Sequence, residues 1–450
     1  MTESTLFKDI QLVLPEGIRQ GDLLVKAGKI VKIAPSITEP ADQVIQESGL
    51  TLMPGVIDTH VHFREPGPTQ KETIASGSKA AVSGGVTTFF DMPNNQPATI
   101  TVDALNQKKQ IAKQTSYSNY NFYIGATLDN LDELIKADNC PGIKIFMGSS
   151  TGNMLVDDQQ ILDDIFKHAN KPIVIHSEDE TMVRENMDRY KGSSDVSDHM
   201  NIRTPEAALA CTKRAVELAK KHQQRLHILH LTTADEVDWL LSQDLPPYIT
   251  VEVCIQHLLL HAPEVYDRLG TFAQINPPLR TESHANRLWF GLQNGLISSI
   301  VTDHAPHLIE EKNQPFGQAP SGMPGVETLL PLTLQFFHDQ RATLHDVSRW
   351  LSGAAQRLFN IDRRGQLLDG YFADLVLVDL NTEWTIENKA TVSQCGWSAF
   401  DGWTVKGRPI MTFVNGQMVF REGEFFQFPD VADEVVLSSY TLSEKNIISN

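Results

Sequence analysis

GVIDTHVHF, residues Gly55–Phe63, is a short run of apolar and β-branched residues that closes on two histidines one residue apart. Seven more runs of this kind follow: GVTTFFDMP (Gly85–Pro93), NFYIGAT (Asn121–Thr127), GIKIFMG (Gly142–Gly148), PIVIHSE (Pro172–Glu178), RLHILHLT (Arg225–Thr232), ITVEVCIQH (Ile249–His257) and ISSIVTDHAP (Ile297–Pro306). Longer amphipathic segments lie between them, such as TPEAALACTKRAVELAKKH (Thr204–His222). Short β runs alternating with helical stretches are the pattern of a parallel sheet. Eight strand–helix units close a (β/α)8 TIM barrel, whereas an open doubly wound sheet rarely strings eight together. The stretch from Pro54 to Phe359 exceeds the roughly 250 residues typical of the barrel, so long loops are expected.

Outside this series the pattern is β only. LLVKAGKIVKIAP (Leu23–Pro35) alternates around Gly28, and Asn415-Gly416 sits between apolar runs in GRPIMTFVNGQMVFREG (Gly407–Gly423), both hairpin signals. GQLLDGYFADLVLVDL (Gly365–Leu380) adds a further strand. The fold expected is therefore α/β, a TIM barrel with a small β-sandwich domain built from both chain ends. The boundaries expected are residues 1–53 and 360–424 for the two halves of the β domain, 54–359 for the barrel and 425–450 for an acidic tail without a clear pattern.

Composition narrows the function. The 450 residues hold 38 Lys+Arg against 56 Asp+Glu, a net charge of −18. A nucleic-acid binder needs a Lys/Arg-rich face, and an anionic membrane surface needs the same, so neither is expected as a partner. An anionic small molecule remains compatible, because a local cluster of donors overrides the global field. No signal-peptide pattern or membrane-length apolar run is present, and Cys140, Cys211, Cys254 and Cys395 have no metal or redox spacing. These features read as a cytoplasmic protein with free thiols.

The chemistry gathers at the strand ends, where a barrel of this type carries its active site. His60 and His62 end the first run, Lys144 lies in the fourth, His176 ends the fifth, His230 the sixth and Asp303 the eighth. Residues i and i+2 of a strand point the same way, so both histidines of the first run reach one ion. A lone His-x-His or strand-end histidine is ordinary. All six in sequence at predicted strand ends are a metal site, with the nitrogen–oxygen set that suits zinc. Lys144 stands out, since an ammonium among imidazoles and cations is repelled. It is either a lysine that snorkels to solvent or a neutral amine that adds carbon dioxide to become an anionic carbamate bridge.

At these residues the chain resembles the dihydroorotases, cyclic amidohydrolases of the amidohydrolase superfamily. The resemblance is carried by MPGVIDTHVHFREPG (Met53–Gly67), GGVTTFFDMPNNQP (Gly84–Pro97), GIKIFMGSSTGN (Gly142–Asn153), VIHSED (Val174–Asp179), HILHLTT (His227–Thr233), INPPLR (Ile275–Arg280), VTDHAPH (Val301–His307), SGMPGVET (Ser321–Thr328) and GYFADLVLVD (Gly370–Asp379). It covers nearly the whole chain except the tail. It implies two Zn2+ ions: His60, His62 and Asp303 on the more buried one, His176 and His230 on the more exposed one, with carboxylated Lys144 and a hydroxide bridging them. It implies Asp303 as general acid/base, and Arg64, Asn94 and His307 as holders of the substrate carboxylate with Asn276 as a further contact. The reaction implied is reversible hydrolysis of dihydroorotate to N-carbamoyl-aspartate, a step of pyrimidine synthesis, and a homodimer.

The residues themselves leave alternatives. Arg64 suits a carboxylate through its planar fork, or forms a salt bridge with Glu65 or Asp91. Asn94 and Asn95 after Pro93 are also turn residues. NQPFGQAPSGMPG (Asn313–Gly325) is a long flexible loop or a cover for the substrate. Allantoinase or hydantoinase/dihydropyrimidinase activity is the alternative, although those substrates lack the carboxylate that Arg64 would meet. An inactive partner of aspartate transcarbamoylase is a third reading, opposed by the full set of ligand residues.

Overall fold

A computed structural model describes residues 3–47, 49–148, 154–428 and 430–438. The end of GIKIFMGSSTGN and the last part of the acidic tail lie outside them. Eight parallel strands run in chain order: Val56–Val61, Val86–Asp91, Asn119–Phe122, Ile143–Phe146, Ile173–His176, Leu226–Ile228, Ile249–Cys254 and Ser299–Val301. Each of the last five pairs in parallel with the strand before it, the fourth through the short extension Ile124–Gly125 of the third. The first three pair likewise. The circle closes where Val61 bridges His304 and the His62 amide donates to the His304 carbonyl at 2.7 Å.

Short polar motifs convert strand ends into helix starts. Three residues after His176, Asp179 caps helix Glu180–Arg189 by accepting from the Met182 amide. Three residues after His230, Thr233 does the same for helix Ala234–Ser242 through the Glu236 amide. A cap of this kind contributes about 1 kcal/mol. Thr204 with Pro205 at the first helical position starts the longest helix, Pro205–His222.

Both chain ends form one nine-stranded sheet. Its joint is Leu50–Pro54, which pairs in parallel with Ser4–Leu14 and antiparallel with Leu375–Thr385. Phe7, Leu12, Leu23, Leu52, Leu377 and Phe413 form its core. Ala27-Gly28 and Asn415-Gly416 are two-residue hairpin loops with positive φ throughout, 47° and 76°, then 49° and 76°. That is the primed turn which matches strand twist. The two loops pack together: a Cβ on Gly416 would lie 2.9 Å from the Gly28 Cα, so a side chain there has no room.

The tail beyond residue 425 is partly structural. The Tyr120 amide donates to the Asp433 carbonyl and the Val435 amide to the Tyr120 carbonyl, and Val435 is buried in one cluster with Phe90, Val174, Leu229 and Phe359. Val174 shares the inward face with His176 two residues on. The cluster therefore fills the barrel beneath the strand-end histidines. The long stretch after the eighth strand is anchored, not an open lid. Lys312 is fully buried and donates to the Gln274 and Pro320 carbonyls, and the Gly322 amide donates to the Gln274 carbonyl.

Candidate active site

His60, His62, Lys144, His176, His230 and Asp303 line one small cavity at the strand ends, with Asn276, Ser321 and Gly322. Ligand atoms of His60, His230 and Asp303 fall within 4.8 Å of one another. Asp303 Oδ1 is 2.9 Å from His62 Nε2 and 3.3 Å from His60 Nε2. His176 Nδ1 and His230 Nε2 face each other at 3.0 Å. His230 and Asp303 stand just past their strands with φ of 36° and 49°. Non-glycine residues take this region at a cost, and such strain gathers at functional sites.

Three of the four imidazoles are oriented from behind. Glu252, on the seventh strand, accepts from His60 Nδ1 at 2.6 Å and from His227 Nε2 at 3.0 Å. That places the His60 proton on Nδ1 and leaves Nε2 as a lone pair. This Nε2 is buried and has no hydrogen-bond partner among the described residues. His176 Nε2 bonds Glu178 at 2.8 Å, and Glu178 also pairs with Arg203. Burial alone would raise the Glu178 pKa, but Arg203 and His176 hold it at about 2. His62 Nδ1 bonds Asn94 Oδ1 at 2.6 Å. Behind them Asp58 accepts from the Thr302 hydroxyl at 2.5 Å and from the His60 amide at 3.2 Å, tying the first strand to the eighth. Burial raises the Asp58 pKa to about 7.

Convergent neutral imidazoles, a carboxylate and an orphaned buried nitrogen fit a divalent metal. Burial, and then the Lys144 charge, keep the His60 proton affinity well below normal; burial and then His176 do so for His230. Burial lowers the Lys144 pKa to about 7, so a neutral amine is accessible near neutrality. All four histidines are buried, His60 at 0%, His176 at 1%, His230 at 3% and His62 at 8% exposed.

Arg64, Asn94 and His307 line an adjoining cavity of about 400 Å³ with Lys71 and Met154. Neither salt bridge considered for Arg64 forms among the described residues. Asp91 pairs with the buried Lys108, and Glu65 accepts from the Ile74 amide. The buried guanidinium contacts the Pro306 carbonyl at 3.1 Å and lies 3.3 Å from His307 Nε2. Burial lowers its pKa to about 10, opposed by Asp91 and Asp303. Asn94 therefore orients His62 at the edge of this cavity, while Asn95 is a turn residue that donates to the Phe63 and Glu65 carbonyls. Asn276 belongs to the first cavity, and its Oδ1 bonds His199 at 3.0 Å.

Glu252, Glu178, Arg203, His227 and Lys71 were not singled out by sequence. Glu252 left a signal, an acid at an inward position of the apolar run ITVEVC. Glu252→Gln removes one of two acceptor roles. We expect metal affinity about 10- to 100-fold weaker, read by metal-competition titration, with the fold retained.

A parallel barrel with histidines and an aspartate gathered at its strand ends is the arrangement of a candidate metal-assisted hydrolase site, and the comparisons give the family. Residues 51–419 match the amidohydrolase family, and the chain belongs to it. It is 33% identical to a dihydroorotase of Pyrococcus horikoshii, over 95% of each chain. It is 36% identical to a dihydroorotase of Halobacterium salinarum, over 82% of this chain and 86% of that one. Among solved structures, the L-hydantoinase (dihydropyrimidinase) of Arthrobacter aurescens superposes with a TM-score of 0.92 at 29% identity, covering 97% of this chain and all of that one.

Proposed function

We propose that this chain is a dihydroorotase, which opens the ring amide of dihydroorotate to N-carbamoyl-aspartate and closes it again. The observation that carries the reading is Arg64: a buried guanidinium with no carboxylate partner among the described residues, facing a cavity beside the histidine cluster. A buried cation of this kind calls for an anion from the ligand. The curated relatives named dihydroorotase support the same reading.

Two Zn2+ ions would be held by His60, His62, His176, His230 and Asp303, with a carboxylated Lys144 between them. When bound, such ions lower the pKa of a water to about 7 and polarise a carbonyl. Asp303 takes a proton from the attacking water and returns it to the departing amide nitrogen. Glu252 and Glu178 hold His60 and His176 in the required tautomers. Arg64 and His307 grip the ring carboxylate, and Asn276 contacts the ring. The substrate is thus a small anion. Neither nucleic acid nor membrane is involved, and among the described residues no helix is long and apolar enough to cross a membrane. A cytoplasmic homodimer completes the reading; sedimentation equilibrium checks the dimer.

The hydantoinase likeness favours a second reading, with uncharged cyclic ureides as substrates. Arg64→Met separates the two. On the dihydroorotase reading it lowers kcat/KM for dihydroorotate about 10- to 100-fold, the loss of a charge-assisted contact. An unchanged kcat/KM would remove the reason for preferring dihydroorotate.

A further inference from the structure

The carboxylate cavity contains a second cation, Lys71, in the loop between the first strand and helix Ile74–Ser83. Its side chain is 14% exposed and pairs with Glu311 at 2.8 Å. Its Nζ lies 3.1 Å from His307 Nδ1. An ammonium only donates, so Nδ1 must be the accepting nitrogen and the ring proton must sit on Nε2. Nε2 is 3.1 Å from the Ser321 carbonyl, which can only accept. The neighbouring Arg64 Nη2, 3.3 Å away, is itself a donor and cannot bond an N–H. The Trp397 indole donates to the His307 carbonyl at 2.8 Å, fixing the residue from its backbone side.

We infer that Lys71 is a positioning residue: it holds His307 as an Nε2–H donor toward the substrate carboxylate. The inference rests on the dihydroorotase reading and extends its carboxylate site by one residue. Without Lys71, only the Ser321 carbonyl still favours the proton on Nε2, while the Arg64 donor beside Nε2 and the Glu311 carboxylate 3.6 Å from Nδ1 favour moving it to Nδ1. A lone pair on Nε2 would then face the incoming carboxylate and repel it. Glu311 keeps Lys71 in place, and Arg64, Lys71 and Glu311 together leave this corner with one net positive charge.

Lys71→Met and Lys71→Arg test the inference in the zinc- and bicarbonate-loaded enzyme. Lys71→Met is expected to raise KM for dihydroorotate about 10-fold while kcat changes less than about threefold. Lys71→Arg, which still donates to Nδ1, should return KM to within about threefold of wild type. Imidazole NMR with nitrogen-15-labelled histidine, His307 assigned by His307→Gln, should show the Nε2–H tautomer in wild type and a mixture in Lys71→Met. An unaltered KM, a loss confined to kcat, or no recovery in Lys71→Arg would overturn the inference. Wild type inert toward dihydroorotate would instead sink the underlying reading. The tautomer spectrum still decides Lys71 in that case, since an unchanged His307 signal in Lys71→Met refutes its role.

Discussion

Lys144→Ala is expected to lose bound metal and turnover together, with activity down by at least about a thousandfold. Lys144 is 1% exposed, lies over the Phe146 ring at 4.6 Å and opens into the same cavity as four histidines and Asp303. An ammonium there would repel two divalent ions, and a carbamate would bridge them. Alanine supplies neither, which leaves the His60 and His176 sides without a shared ligand. Burial brings the Lys144 pKa to about 7, and only the neutral amine adds carbon dioxide. Reloading of metal-free protein with zinc and bicarbonate should therefore speed up as pH rises through that value. Metal analysis alongside a turnover assay checks the variant. Full activity in Lys144→Ala would exclude the carbamate bridge.

Asp303→Asn is expected to reduce kcat by about 10²- to 10⁴-fold, the range of a general acid–base group. Asparagine keeps the shape and tolerates the left-handed backbone that Asp303 adopts at φ 49°, so the variant tests chemistry and not folding. It cannot accept the proton of the attacking water. Metal content measured on the same sample separates proton transfer from ligation: the prediction is lost turnover at a rate out of proportion to any metal lost. A kcat near wild type would move the acid–base role to another group.

What was legible in the sequence is what local pattern encodes. Strand ends carry His60, His176 and His230 because apolar runs stop there. The hairpins at Gly28 and Gly416 were readable from the alternation around the first and the Asn-Gly pair of the second. The supporting layer was not readable, because it forms only when the barrel closes. Glu252 meets His60 across 192 positions of chain, and Arg64 lies beside His307 across 243. No periodicity announces such pairs. Lys71 escaped notice because an isolated loop lysine is ordinary until Glu311 and His307 flank it. The Gly- and Pro-rich stretch after the eighth strand reads as flexible by composition. The buried Lys312 and the Gly322 amide tie it down instead. The acidic tail carries no repeating pattern, yet buried Val431, Ala432 and Val435 and the backbone bonds to Tyr120 seat it against the barrel.

The central claim is that this amidohydrolase works on a cyclic amide bearing a carboxylate. Steady-state kinetics of the purified enzyme with zinc and bicarbonate test it most directly, with dihydroorotate, dihydrouracil, hydantoin and allantoin in parallel. The account predicts ring opening of dihydroorotate and ring closure of N-carbamoyl-aspartate, with kcat/KM at least about 100-fold above that for each uncharged ureide. Turnover of dihydrouracil, hydantoin or allantoin with dihydroorotate left unchanged would contradict it.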